Sequence, residues 1–385
     1  MTTIIDTDSH VIEPPDLWTS RLPASWGTNV MHVKWSEQLE AEAWFIGDTQ
    51  ISPAWLFATY KNQSEFPTPS RTRDEVHPAN YDPVERTKVM DRAGISASVL
   101  YPNIAGLAFD PFVSNPDPSW ALAHLHAYND FVAEWSEAAP GRFVPMACVP
   151  YWDLSQAVKE IERVAERGHR GVVMTGAPQL HDQPHLVSPH WDPMWSACED
   201  AGLSVSFHAS NGGQSGEDTT SPEVMAAEGV PAWLSRETTN QFLYNTLQVN
   251  DLLFSGILAR FPTLKFVSVE SGIGWLPFLL DAVDYHFKKN RVERTRPEFG
   301  DLLPSDLFRR QVYLNYWFER IEPWHVEKIG ADNIMFETDF PHPTCLADDE
   351  VQAAVRNGLS DLSTEDREKI LWRNAAELYR IDVAP

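Results

Sequence analysis

The sequence is poor in the residues that staple or anchor a protein. Only three cysteines occur in 385 residues: Cys148, Cys198 and Cys345. An odd number at wide spacing gives neither a disulfide framework nor a structural zinc pattern, and it suits a reducing compartment. No apolar run approaches the roughly 18 residues of a membrane span. The opening MTTIIDTDSH lacks a basic segment followed by an apolar one, so no secretory signal is expected and a cytoplasmic location is. Basic residues are scarce too: 30 Lys and Arg stand against 55 Asp and Glu, a formal net charge of −25. Such a chain repels phosphate backbones, which argues against nucleic acid as a partner. Two chemical signatures are also missing. Without a Gly-x-Ser-x-Gly elbow there is no support for a Ser–His–Asp nucleophile. Without a glycine-rich loop after a strand there is none for nucleotide binding.

What is present is a globular composition, 43% hydrophobic and 22% charged, in which short β-rich runs alternate with helical patterns. The first strand is read at Thr3–Ile5, leading into Asp6-Thr7-Asp8-Ser9-His10. An irregular, Trp- and Pro-rich stretch, residues 14–80, reads as an insertion packing over one end of the fold, with a hairpin near Ala43–Ile51. Seven further strands are expected at Ser96–Tyr101, Phe143–Val149, Gly171–Thr175, Leu203–His208, Lys265–Val269, Gln311–Tyr316 and Ile334–Phe336. Helices are expected after each, at Trp120–Ala138, Leu154–Glu166, Pro193–Asp200, Asn240–Arg260, Trp275–Lys289, Pro323–Ile329 and Asp366–Leu378, with one before the second strand at Asp82–Ala93. Eight βα units point to one (β/α)8 TIM barrel spanning residues 1–385.

Active sites of such barrels lie at the C-terminal ends of the strands. There the sequence places Asp8 and His10 (strand one), His208 (strand five), Glu270 (strand six) and Asp339 (strand eight). Asp8 and His10 are two apart on an extended segment, so both side chains face the same way and can chelate one ion. An isolated carboxylate at Asp339 in a barrel core would be too costly, so it is read as hydrogen-bonded or metal-bound. Glu270 reads as a ligand or a base, or equally as a strand-end acid paired with an arginine, and Glu337 as facing away from Asp339 or toward the barrel wall. His342 follows Asp339 closely enough to meet a substrate. His181, His185 and His190 follow strand four and can line the mouth. His124 and His126 fall in a helical pattern and read as structural. The residues after His208, Ala209 and 210–213, read as a flexible loop.

These segments resemble the amidohydrolase-related branch of the metal-dependent hydrolase superfamily, which includes aminocarboxymuconate-semialdehyde decarboxylase and gamma-resorcylate decarboxylase. The resemblance rests on Asp6-Thr7-Asp8-Ser9-His10 with Glu13-Pro14, Met90-Asp91-Arg92-Ala93-Gly94-Ile95, His190-Trp191-Asp192-Pro193, Phe207-His208, Val269-Glu270-Ser271-Gly272, Glu337-Thr338-Asp339-Phe340-Pro341-His342 and Arg373-Asn374-Ala375-Ala376-Glu377. It implies one divalent ion, commonly zinc or manganese, on Asp8, His10, His208 and Asp339, and a homo-oligomer, commonly a dimer; two histidines plus carboxylates suit ferrous iron as well. It also implies a small-molecule substrate such as an aromatic or unsaturated acid. Asp339, Glu270 and His342 are the candidate catalytic residues; Trp275, His181 and Glu13 are candidate substrate contacts. Two positions depart from the pattern: Asp8 stands where many relatives have His or Glu, and Glu270 where the decarboxylases carry a His. The implied reaction is nonoxidative decarboxylation of a hydroxy-aromatic or enol-like acid. Metal-dependent hydrolysis of an amide, lactone or C–C bond, iron-dependent redox chemistry, and ligand binding without catalysis stay open as alternatives.

Overall fold

The computed structural model describes residues 3–105, 117–209 and 222–382; the loop expected at residues 210–213 lies outside them. Eight parallel strands close into a barrel: β1 (Ile4–Val11), then, after a separate small sheet (β2, Met31–Ser36; β3, Ala41–Ile46; β4, Thr49–Pro53), β5 (Ile95–Pro102), β6 (Phe143–Cys148), β7 (Gly171–Val173), β8 (Ser204–His208), β9 (Phe266–Val269), β10 (Val312–Tyr316) and β11 (Ile334–Phe336). Each barrel strand hydrogen-bonds its neighbours in sequence, and β11 closes onto β1 with Asp6 opposite Phe336. The inside of the barrel is filled by Ile5, Val99, Met146, Val173, Val267 and Met335, the bulky apolar packing such a barrel requires.

The helices form where the sequence supplies caps. Asp82 accepts from Glu85 N and opens α1 (Pro83–Ala93), which Gly94 ends at φ 79°. Asp117 caps α2 (Pro118–Ser136) and Asp153 caps α3 (Leu154–Glu166). Each carboxylate satisfies amides that a helix start leaves without partners. The remaining helices are α4 (Asp192–Ala201), α5 (Pro222–Glu228), α6 (Val230–Ser255), α7 (Ile257–Arg260), α8 (Leu276–Asn290), α9 (Pro304–Gln311), α10 (Pro323–Ile329), α11 (Asp349–Gly358), α12 (Thr364–Glu368) and α13 (Asn374–Tyr379). Among the described residues no helix is long and apolar enough to cross a membrane.

Several boundaries differ from the sequence reading. The first strand runs through the polar cluster to Val11 rather than stopping at Ile5. The long sixth helix begins ten residues before Asn240. The closing helix is broken by a π turn at Lys369–Arg373, and α9 and α11 had not been expected.

The small antiparallel sheet lies between β1 and α1 in the chain. It is tied to α2 through Met31 N, which donates to His124 Nε2 at 3.2 Å, and through Trp120 Nε1, which donates to Asn29 O at 2.6 Å. The same segment reaches the barrel rim, where Thr59 N and Oγ1 both donate to Pro341 O at 3.1 and 2.9 Å.

Candidate metal centre

Three devices bring the polar ends of β1 and β11 together. Asp339 N donates to Asp8 O at 2.9 Å, and His10 N donates to Phe340 O at 2.6 Å. Asp6 accepts from both the amide and the hydroxyl of Thr338, each at 2.8 Å. A bulge between Asp6 and Ser9 breaks the simple alternation along β1. Asp6 accordingly lines a small cavity with Ser9, Arg86, Val89 and Met90, whereas Asp8 and His10 turn into the barrel mouth. Bulges beside sites re-aim side chains in this way.

At the mouth, Asp8, His10, His208 and Glu270 bring ligand atoms within 4.8 Å of one another, and so do His10, Asp339 and His342. All six side chains are buried. His10 Nε2 lies 3.4 Å from Asp8 Oδ1 and 3.3 Å from Asp339 Oδ1; His208 Nε2 lies 3.6 Å from Asp8 Oδ1. His342 stacks on His10 with ring centres 3.8 Å apart, its Nδ1 2.8 Å from Asp339 Oδ1. The His10 tautomer follows from its second nitrogen. Nδ1 is 3.0 Å from Pro102 O, and a carbonyl only accepts, so Nδ1 carries a proton and Nε2 is the ring atom left to face the carboxylates.

Two of the acids sit in left-handed backbone, Glu270 at φ 55° and Asp339 at φ 58°. Non-glycine residues adopt that conformation at a cost and do so preferentially at functional positions. Both oxygens of Asp8 and His10 Nε2 lack hydrogen-bond partners despite burial, and Asp339 Oδ1 has ring nitrogens of His342 and His10 beside it. Buried polar atoms are nearly always satisfied, and a buried carboxyl group is paired, bound to a cation or protonated. Two oriented imidazoles plus carboxylates facing one point meet that need with a divalent ion, so the residues present fit a resident metal.

Charge is distributed unevenly among the acids. Burial alone would raise Asp339, but His342 and His10 hold it down to about 2. Burial pushes Asp6 up to about 7 in spite of its hydrogen bonds from Thr338. Glu270 is pushed well above the carboxylate range by burial and then by Asp339, Asp8 and Glu337. Glu337 is raised by burial and by Asp8. Its side chain does not lean on the wall: it reaches β9, where its Oε2 accepts from Glu270 N at 3.1 Å.

The other candidates lie outside the cluster. Both Glu13 oxygens are taken by the amides of Asn103, Ile104 and Ala105 at 3.0–3.2 Å, so this carboxylate holds the loop after β5 instead of facing a substrate. Trp275 donates its indole N–H to Ser271 O at 2.9 Å, and His181 packs edge-on to Tyr151 with ring centres 6.1 Å apart. Sequence reasoning missed Tyr101, which packs beneath both imidazoles (centroids 6.3 Å from His10 and 5.4 Å from His208) and bonds Ser206 Oγ at 2.9 Å. It also missed Phe57 of the early segment, 5.3 Å from the His342 ring. Tyr101 ends a predicted strand and had a positional signal; Phe57 had none.

Comparison with known proteins identifies the family and the fold. The amidohydrolase family model, Amidohydro_2, matches residues 5–381. Gamma-resorcylate decarboxylase from Polaromonas sp. (strain JS666) is 27% identical over 308 residues, covering 77% of this chain and 87% of that protein. Among solved structures, an amidohydrolase from Mycobacterium avium subsp. paratuberculosis K-10 superposes with a TM-score of 0.73 at 23% identity, covering 98% of each chain. A dihydroxybenzoic acid decarboxylase from Polaromonas sp. JS666, solved with bound manganese and 2-nitroresorcinol, gives 0.66 at 20% identity, covering 100% of this chain and 98% of that one. The two structures share the barrel fold with this protein.

Proposed function

We propose, from the premise that this chain belongs to the amidohydrolase family, that it is a metal-dependent nonoxidative decarboxylase of a hydroxy-aromatic or enol-like carboxylic acid. The observation that carries the reading is the set of buried, partnerless ligand atoms on Asp8 and His10, with His208 and Asp339 beside them. The curated relatives over most of its length, named gamma-resorcylate decarboxylases, support the reaction class. Asp8, His10, His208 and Asp339 would hold the ion. The manganese in the Polaromonas structure makes manganese our first choice over zinc or iron. A bound divalent ion would grip the substrate carboxylate and a neighbouring oxygen and draw off developing charge.

The chain's own residues supply the rest. Decarboxylation breaks the bond between ring carbon and carboxylate, leaves the electron pair on that carbon and requires one proton there. Glu270 and Glu337 are raised by burial and by neighbouring acids, which favours their protonated forms, and Glu270 stands at the mouth beside His208. Glu270 thus takes the proton-donor place that the decarboxylase resemblance gives to a histidine. His342, stacked on His10 and beside Phe57, offers a flat apolar wall to a ring.

The test is incubation of manganese-loaded protein with hydroxybenzoates and enol acids while carbon dioxide and product are followed. Released carbon dioxide with the matching phenol is the expected result. An amine, or an acid produced by ring or lactone opening with no carbon dioxide, would make the chain a hydrolase.

A further inference from the structure

Two of the site's residues, His208 and Glu270, end adjacent strands, and one buried amide ties those ends together. Asn245, in the buried half of α6, places its Nδ2 3.2 Å from Phe207 O and 3.2 Å from Val269 O. These are the carbonyls immediately before His208 and Glu270. The same nitrogen lies 2.8 Å from Ser268 Oγ and 3.1 Å from Ser271 Oγ. Its own oxygen accepts from Gln248 Nε2 at 2.7 Å, and Gln248 Oε1 accepts from Gly176 N, just past β7. A side chain at Gly176 would collide here, since its Cβ would stand 2.7 Å from Gln248 Oε1. Asn245 and Gln248 are fully buried and stand one helical turn apart, so α6 reaches the ends of three consecutive strands with two amides.

The consequence is seen at His208. Its Nε2 faces Asp8 while its Nδ1 lies 3.4 Å from Glu270 Oε2. A metal-binding histidine is commonly oriented by a carboxyl group on its other nitrogen, and loss of that partner weakens metal binding about 10- to 100-fold. The distance between His208 and Glu270 depends on how far apart their strand ends are held, and Asn245 bonds both.

We propose that Asn245 is a positioning residue that sets the His208–Glu270 contact and, through it, the presentation of His208 Nε2 to the ion; the second half of this statement rests on the metal-centre reading above. In Asn245→Asp the side chain keeps its shape but presents oxygens to two carbonyls. Manganese affinity, measured by electron paramagnetic resonance titration, should fall about tenfold or more. Glu270→Ala should lower affinity similarly. The double variant should bind no more weakly than the weaker single variant, because both substitutions break one contact. In metal-free protein labelled with 15N-histidine, the His208 Nδ1–H resonance should move in Asn245→Asp. Should that variant fold poorly, Gln248→Leu, which leaves the Asn245 donor in place but frees its oxygen, should produce smaller shifts of the same sign.

Multiplicative losses in the double variant, or an unmoved His208 resonance with wild-type manganese affinity in folded Asn245→Asp, would overturn the proposal. Wild-type protein that takes up no manganese, yet whose His208 resonance moves in Asn245→Asp, would sink the metal reading and leave the positioning role standing.

Discussion

Two buried acids in this molecule, each beside histidine, behave oppositely. On the outer face, Glu160 of α3 accepts from Asn129 Nδ2 and from two nitrogens of Arg163, all at 2.7 Å, and pairs with His126 at 3.1 Å. Asn129 in turn bonds the backbone N and O of Cys148 at 2.9 Å, fastening α2 to the end of β6. Every oxygen of that carboxylate is occupied from within the chain. At the mouth, Asp8 is equally buried and neither of its oxygens is occupied. A satisfied buried ion cluster is explained by the fold alone. An unsatisfied one means that the fold stops short and something else completes it. Histidine and acid content alone does not distinguish the two; the count of partners does.

The sharpest way to break that contrast is to remove a group from each side. His208→Ala and Asp339→Ala should abolish metal uptake and cut turnover by more than about a hundredfold, beyond the loss of an orienting partner. Both variants should still fold without metal, because the backbone bonds that join β1 to the segment after β11 need neither side chain. Metal analysis and thermal unfolding measure both quantities, and activity without bound ion in either variant would end the metal reading. Glu270→Gln should have the next largest effect. Glutamine keeps an acceptor for His208 Nδ1 but carries no acid proton, so turnover at saturating manganese should drop about a hundredfold with the metal retained. A variant that instead loses its metal would make Glu270 a ligand.

Much of this was legible before the structure. Period-two spacing put Asp8 and His10 on one side of a strand, and the order of βα units put His208, Glu270 and Asp339 at the same rim. What stayed hidden was hidden for physical reasons. Asp6 has the same spacing from Asp8 as His10, and only a bulge sends it to Thr338 and the α1 side. Arg86 is a charged residue within the helix expected at Asp82–Ala93. It is buried, donating to Ser9 Oγ and to the carbonyls of Ala79, His10 and Asn80 at 2.7–3.1 Å. Asn245 is a polar residue in a helix whose exposed first half has no clear apolar stripe, so neither the helix start nor the amide's target is encoded locally. Glu13 stands near the motif, but the amides it caps lie some 90 positions further on.

The satisfied cluster makes the last and smallest prediction, and it sharpens the comparison from the structural side. Burial by itself would raise Glu160; the hydrogen bonds from Arg163, His126 and Asn129 outweigh it and hold the carboxyl at about 2, below its ordinary 4.5. A depressed folded value means that the group stabilises the fold fully above about 4.5, and that this contribution is lost as pH falls toward 2. Arg163 is about one-third exposed, so solvent screens part of the effect and about 2 kcal/mol is a reasonable ceiling. The unfolding free energy of the wild type should therefore exceed that of Glu160→Gln by a constant amount from pH 7 to about 5. The gap should then narrow steadily and nearly close by pH 2. Taking the difference between the two proteins cancels the titration of the mouth acids, which both retain. A gap that stayed flat to pH 3, or widened in acid, would mean that Glu160 is not the depressed group, and that partner count does not separate the two clusters energetically.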